Sequence, residues 1–489
     1  MTPITPADPA WILRAPRLSL SGLATPSLPD ADRTRTAAIR ALVDNIAATL
    51  TRAGVPWCIL RNRELIPAGL AGWKDVDILV PGTLTVRDLA MLFAPLEPAN
   101  IGPMRRGHTS FYFPASDIFV RIDVYHGDLR WKQAPFVDHG DVLERSVDDR
   151  GYMIASPIDQ AYIAWFSKLL AEGKFPDRYE ALVTRHVREN PDAFHRMIAR
   201  AFGTHLAGQL MALALDGHVR ESTLLAHACR RAVWANAMRR HPVATPLAFL
   251  RQIGHGLVQR ARPSGLDVTL LGPDGSGKTL VSTRIAGSSL RDVPYKTVSI
   301  QKGYRQNLPE LRTIAGFVLR RSIAPVGDAR DPHGAPAHRP LTWLVKFGYY
   351  TIDIWLQHIQ ARRAVAHTSL VLRDRHLMEL TIDARRYRYA GPSWIPRLIA
   401  TLQPRPAMVI VLDAPPEVLQ ARKHDVSMEE SIRQREAYRQ LAMRHPHGYI
   451  VRSDRAVDDV TRDVAGVIAD FTRGRTRNRY GHHRGTGGL

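Results

Sequence analysis

Three groups of residues in the 489-residue sequence have types and spacings that can do chemistry. The first is Gly272-Pro-Asp274-Gly275-Ser276-Gly277-Lys278-Thr279. Its glycines let the backbone curl so that successive N–H groups point inward at an anion. A helix expected to start at the run adds the favourable field of its N-terminus. Lys278 is spaced to reach terminal phosphates, and the Thr279 hydroxyl to ligate Mg²⁺. An apolar run, Val268–Leu271, precedes it, as a phosphate loop requires. Gly272, Asp274, Gly275, Ser276, Gly277, Lys278 and Thr279 are therefore expected to hold a nucleoside triphosphate.

The second group is Asp374-Arg375-His376, behind the strand expected at 369–373. An acid at the carboxyl end of a buried strand sits where open α/β sheets bind ligands. Asp374 can hold a Mg²⁺ water or take a proton from the acceptor, and Arg375 can neutralise a phosphate. A surface ion pair is the bland alternative. The third group is Asp75, Asp77 and Asp123. Alternation in a strand projects Asp75 and Asp77 together, with Val76, Ile78 and Val80 facing a core. Two such carboxylates repel unless a cation neutralises them, and Mg²⁺ suits an oxygen-rich pocket. Asp123, between Ile122 and Val124, is placed to complete that site. Asp-x-Asp also occurs at ordinary turns and strand ends. His108 and His126 flank these strands and read as structural; Lys168 reads as a surface charge.

The elements that must position these groups follow from the pattern. At roughly 150 residues per domain the length suggests about three. Residues 1–32 are proline-rich and read as a loose leader. Residues 33–150 give a helix to about 53, ended by Gly54, then short strands at 57–60, 76–80, 110–113 and 119–124. Residues 151–261 read as helical, opened by Ser156 as cap and Pro157 in the first turn. Residues 262–471 alternate strand and helix, with strands at 266–271, 369–373, 408–413 and 449–452. That is the pattern of a parallel sheet covered by helices. Residues 472–489, nearly devoid of apolar side chains, read as a disordered basic tail.

Lys and Arg number 67 against 46 Asp and Glu, a formal charge of +21. That favours anionic partners such as nucleotides, sugar phosphates, nucleic acid or an anionic membrane surface. Basic residues interleave with aromatics only at 385–389, so nucleic acid is not the favoured partner. Two cysteines without ligand spacing fit a reducing cytoplasm. The N-terminus lacks an apolar h-region, and no window of ~18 apolar residues predicts a membrane span.

With these residues in place, the C-terminal part, 262–470, resembles the thymidylate kinase branch of P-loop kinases. The resemblance rests on GPDGSGKT at 272–279, DRH at 374–376, VLDAPPEVLQARK at 411–423, and Ser453-Asp-Arg455 with Val457-Asp-Asp-Val460. It implies a parallel-sheet kinase fold and γ-phosphoryl transfer from ATP with Mg²⁺. The catalytic set would be Lys278, Asp374, Arg375 and the lid arginine Arg422. Lys423, Arg433 and Arg435 share that role or are solvated helix-face charges. The basic, aromatic segment 383–389 either closes over a phosphorylated acceptor or is an exposed loop. The family's Phe-x-Arg element is not found between 291 and 340, which puts thymidylate in doubt as acceptor.

Residues 36–150 resemble a polymerase-β-type nucleotidyltransferase domain, an α+β module whose carboxylates, here Asp75, Asp77 and Asp123, hold two Mg²⁺. The usual Gly-Ser pair is absent, and Arg61-Asn62 stand there instead, so a degenerate domain that only binds is an open alternative. Together these readings describe a kinase for a small-molecule acceptor, a nucleoside monophosphate or a related sugar or sugar phosphate, fused to a transferase-like module. Such fusions resemble parts of surface-polysaccharide pathways. A dimer is compatible with the resemblance. The alternatives are an ATP-gated regulatory or scaffold protein, and an RNA- or DNA-directed enzyme.

Overall fold

The structure is a computed structural model that describes residues 28–61, 75–104, 107–287, 292–301, 339–423 and 426–480. The described chain divides into two compact units, one of residues 28–258 and 473–480, the other of residues 259–472.

The first unit opens with α1 (Leu28–Arg52), β1 (Cys58–Arg61), β2 (Val76–Val80) and α2 (Val86–Leu92). Then come β3 (Asn100–Ile101), β4 (His108–Ala115), β5 (Ile118–His126), β6 (Leu129–Trp131) and β7 (Ala134–Val137). After α3 (His139–Glu144), β8 (Val147–Asp149) and β9 (Tyr152–Ile154) complete the strands. Seven of these form one mixed sheet in the order β3-β4-β5-β2-β1-β9-β8. One face packs Ile78, Val80, Ile122 and Val124 against Ile39, Val43, Ile46 and Leu50 of α1. Their spacing along α1 makes one apolar stripe, and each such side chain removed from water stabilises by about 1.5–3 kcal/mol.

The helical section supplies the other face. It comprises α4 (Pro157–Glu172), α5 (Glu180–Glu189), α6 (Pro191–Phe202), α7 (Thr204–Leu215), α8 (Ala226–Arg240) and α9 (Ala244–Ala261). Trp165, Phe166, Phe194 and Phe202 share one core with Cys58, Leu60 and Leu79 of the sheet. Helix α4 starts as the residue types require. The Ser156 hydroxyl accepts from the Asp159 N–H, Pro157 occupies the first turn, and Gly173 ends the helix at φ 73°.

The second unit holds β10 (Leu266–Leu271), α10 (Lys278–Gly287), β11 (Thr297–Gln301), α11 (Pro340–Val365) and β12 (Ser369–Arg373). It continues through α12 (Trp394–Thr401), β13 (Met408–Asp413), α13 (Pro416–Arg422), α14 (Met428–Arg444), β14 (Gly448–Arg452) and α15 (Val457–Tyr480), whose last turns belong to the first unit. The five strands run in the order β11-β12-β10-β13-β14, every pair parallel. The inner strands are buried on both faces, as a helix-covered parallel sheet demands, and the charges of Asp267 in β10 and Arg373 in β12 pair with each other at 2.8 Å. Strand β11 was not expected. It is a five-residue edge strand that alternates, but with only Val298 and Ile300 apolar the pattern is too short to read. Residues 302–338, most of the stretch in which Phe-x-Arg would stand, lie outside the described residues.

Two expectations are corrected. The leader was expected to end at 32, but α1 begins at Leu28. Pro29 in its first turn has no backbone N–H to lose there. The basic tail was expected to be disordered from 472, but α15 continues to Tyr480. Val464, Ile468, Thr472 and Thr476 recur every four residues and are buried, which carries one helix face through a polar sequence. Tyr480 packs on the first unit's core, and the Thr476 hydroxyl donates to Ala99 O at 3.1 Å. Residues 481–489 lie outside the described residues. No helix of the described residues is long and apolar enough to cross a membrane. Cys58 and Cys229 are both buried and unpaired, and burial pushes each thiol up to about 12.

Candidate active site

The run 272–279 connects the carboxyl end of β10 to α10. Gly272 sits at φ +144°, and a Cβ there would meet Leu412 O at 2.6 Å and Ser276 Oγ at 2.9 Å, so the backbone needs glycine. Lys278 is buried, and its ammonium donates to Gly272 O at 2.8 Å and Pro273 O at 3.0 Å. Burial lowers its pKa, opposed by Glu379, Asp274 and Asp374. An ammonium that closes on the loop's own carbonyls is the donor that phosphate oxygens would recruit.

Strand β12 lies beside β10 in parallel register, with Thr269 opposite Arg373. The residue after it, Asp374, therefore emerges next to the loop. Its Oδ2 accepts from the Thr279 hydroxyl at 2.6 Å. Its Oδ1 is buried and has no hydrogen-bond partner among the described residues. A threonine hydroxyl beside a half-satisfied carboxylate is an oxygen donor set that fits Mg²⁺.

Asp274 is the electrostatic centre of the site. Arg375 at 3.5 Å and Lys278 at 4.0 Å face its Oδ1, and Lys423 at 3.7 Å and Arg386 face its Oδ2. Burial alone would raise the Asp274 carboxyl, but Lys278, Arg386 and Arg375 overcome that and hold it well below the usual range. Arg375 also reaches Glu379 Oε2 at 3.3 Å. Glu379 is 1% exposed, burial raises its pKa, and its Oε1 has no hydrogen-bond partner among the described residues. Arg422, the expected lid arginine, donates to Gly275 O at 3.3 Å and Ser453 O at 3.0 Å.

Other basic residues serve the scaffold. Arg435 grips Asp413 at 2.7 and 2.9 Å, joined by Arg439 at 3.0 Å, which ties α14 to the end of β13. Arg433 binds Glu430 and Ile382 O. The segment 383–389 splits between two tasks. Arg386 reaches the loop, whereas Tyr387 and Tyr389 pack with Trp343 and Phe347 in an aromatic core. Sequence reasoning thus missed Glu379 and did not single out Arg386. Arg386 was signalled only as part of the basic, aromatic segment 383–389, and Glu379 only by lying soon after Asp374.

In the first unit β2 and β5 are parallel neighbours, with Asp77 directly opposite Asp123. Asp75 precedes β2. Each carboxylate already has a cation: Arg61 pairs with Asp77, and Arg121 with Asp75 and, at 3.4 Å, with Asp123. Ser110 Oγ also donates to Asp123 at 2.6 Å. Burial raises the Asp77 carboxyl, Arg61 opposes that, and Asp123 adds to it. Among the described residues, the group of three close enough to share an ion is Asp128, Asp138 and His139, not these three aspartates. That other group is internally satisfied: Asp128 binds His139 and Arg130, and Asp138 caps α3 and binds Arg200. Arginine-neutralised carboxylates are a poor fit to the two Mg²⁺ that the transferase resemblance implies.

No protein-family model and no curated protein matches the chain. Solved structures similar to part of it include a thymidylate kinase from Candida albicans, at 12% identity and a TM-score of 0.32, over 43% of this chain and 93% of that one. Another is a thymidylate kinase from Ehrlichia chaffeensis, at 16% identity and a TM-score of 0.28, over 42% of this chain and 100% of that one.

Proposed function

We propose that the second unit is an ATP-dependent phosphotransferase acting on a small-molecule acceptor, a nucleoside monophosphate or a sugar or sugar phosphate. One observation carries this reading. Lys278, the Thr279–Asp374 pair and the cations around Asp274 meet at the carboxyl ends of adjacent parallel strands. A nucleotide-binding switch needs the loop; it does not need Arg375, Arg386 and Lys423 gathered around Asp274.

Phosphoryl transfer is mainly positioning and neutralisation of charge. The loop N–H groups and Lys278 hold the β and γ phosphates. Thr279 and Asp374 would hold Mg²⁺, which would supply positive charge against the phosphates. Arg422, already on Gly275 O, borders the phosphate cradle. Arg375 and Arg386, held on Asp274, set a positive field beside the transferring group.

The wider reading is a fusion of this kinase with a nucleotidyltransferase-like module in a cytoplasmic surface-polysaccharide pathway. Its support is the sequence resemblance. Incubation of the full chain with γ-labelled ATP, Mg²⁺ and an acceptor panel tests the kinase. Lys278→Ala is expected to lower transfer by about 10³-fold, the scale of losing one preorganised donor to developing charge. Full activity in that variant would exclude this site. ATP binding without transfer to any acceptor would favour the regulatory reading.

A further inference from the structure

We propose that Glu379 is the group that receives the acceptor's reacting hydroxyl, so that the phosphoryl group is transferred to an alcohol, as on a sugar or polyol, and not to a phosphate. This rests on the kinase reading of the same site and narrows it to one acceptor chemistry.

Two observations carry it. First, Glu379 is buried at 1% exposure with Oε1 unpartnered among the described residues, while Oε2 is held by Arg375 at 3.3 Å. A buried carboxylate oxygen without a donor is costly, and native proteins rarely keep one without use. Arg375 in turn reaches Asp274 of the loop at 3.5 Å, so the unpartnered oxygen is tied to the phosphate cradle through one side chain. What is missing there is a hydrogen-bond donor. A sugar hydroxyl is one; a dianionic phosphate monoester is not, and a carboxylate would repel it. Second, the cations that an acceptor phosphate would recruit are already committed. Arg375, Arg386 and Lys423 all face Asp274. The site presents paired cations and an unpaired proton acceptor, which is the complement of a neutral hydroxyl.

The reaction balances without another reagent. A lone pair of the hydroxyl oxygen forms the new O–P bond to the γ-phosphorus. The bond from that phosphorus to the β,γ-bridging oxygen breaks, and its electrons leave with ADP. The hydroxyl proton passes to Glu379 Oε1 and later to water. Burial, which raises the Glu379 carboxyl, makes it a better proton acceptor.

The test uses the full chain with ATP, Mg²⁺ and two panels: hexoses, pentoses, glycerol and nucleosides in one, nucleoside monophosphates and sugar phosphates in the other. Phosphorus NMR separates the products, since a phosphorylated alcohol is a monoester and a phosphorylated phosphate is an anhydride. The expected product is a monoester. Glu379→Gln keeps an oxygen for Arg375 but cannot take a proton. It is expected to lower kcat about 100-fold, the usual share of a general base, with ATP affinity unchanged and Tm equal or higher. Glu379→Asp is expected to restore part of the rate. Anhydride as the sole product overturns the inference, as does a Glu379→Gln variant with wild-type kcat. So does a fall in Tm that alone accounts for the lost rate, which would make Glu379 a scaffold residue. A chain that phosphorylates members of the second panel and no alcohol also overturns it. Failure of the kinase reading looks different: no member of either panel is then phosphorylated, or Lys278→Ala keeps full transfer.

Discussion

Gly272 shows how little latitude the phosphate loop has. A methyl group there would press into Leu412 O at 2.6 Å, a backbone atom of β13 that cannot swing away, and the φ of +144° is itself hostile to a side chain. Gly277, at φ +90°, would place a Cβ with nothing within 4 Å of it, so it carries the conformational cost alone. Gly272→Ala is therefore expected to destabilise the second unit by about 2–4 kcal/mol, strain and overpacking together, and Gly277→Ala by about 1–3 kcal/mol. Denaturant titration of both variants checks the order. Equal costs would mean that the approach to β13 does not matter. At this scale the sequence was readable where type and spacing coincide. Lys278, Thr279 and Asp374 meet because a motif and a strand end put them there. Glu379 was hidden, and Arg386 was visible only as one of several basic residues in 383–389, because they stand on short helical turns, Leu377–Thr381 and Arg385–Tyr387, whose course depends on tertiary packing. The partner of Asp77 was hidden for a related reason. Alternation puts Arg121 on the face of Asp123, two residues along β5, but not Arg61 on that of Asp77, because Arg61 comes from the neighbouring strand β1.

Among the elements, strands with long apolar runs and helices with clear caps lay where periodicity put them, since burial on both faces leaves such runs no other state. Edge strand β11 and the last turns of α15 did not, because their stability comes from a neighbour and not from their own pattern. Strand β5 shows how one side chain can fasten an element. At its end His126, 9% exposed, joins two segments: Nδ1–H donates to Leu84 O at 3.1 Å, and Nε2 accepts from the Thr109 hydroxyl at 3.1 Å. Both bonds are made by the neutral ring, with the tautomer defined. Burial, with His108 nearby, lowers its pKa against the smaller opposing pull of Leu84 O. The unfolded chain therefore binds the proton more readily than the folded one. The stabilisation is complete above the ordinary imidazole range near pH 6.5 and is lost as pH falls through that range to the depressed value. Thermal unfolding of the first unit between pH 7.5 and 5 is expected to show this slope, and His126→Gln to flatten it. An unchanged slope in the variant would assign the effect to other groups.

Across the whole molecule, the two units have separate hydrophobic cores: one pair of cores around the mixed sheet and its helices, another set around the parallel sheet. Units with their own cores are expected to unfold in distinguishable steps, so calorimetry should resolve two transitions. The phosphate loop, Asp374 and the cations around Asp274 all belong to the second unit. ATP with Mg²⁺ at a hundredfold excess over Kd stabilises the state that binds it by about 2.7 kcal/mol. For a unit of this size that raises one transition by roughly 5–10 °C, and Lys278→Ala is expected to abolish the rise. The first unit's transition should not respond to Mg²⁺, because arginines already neutralise Asp75, Asp77 and Asp123. If Mg²⁺ alone raises that transition, and Asp77→Asn removes the response, the arginines yield to metal and the transferase chemistry returns to the first unit. If instead ATP moves both transitions equally, the units unfold as one, and the nucleotide's influence reaches the mixed sheet as well as the loop.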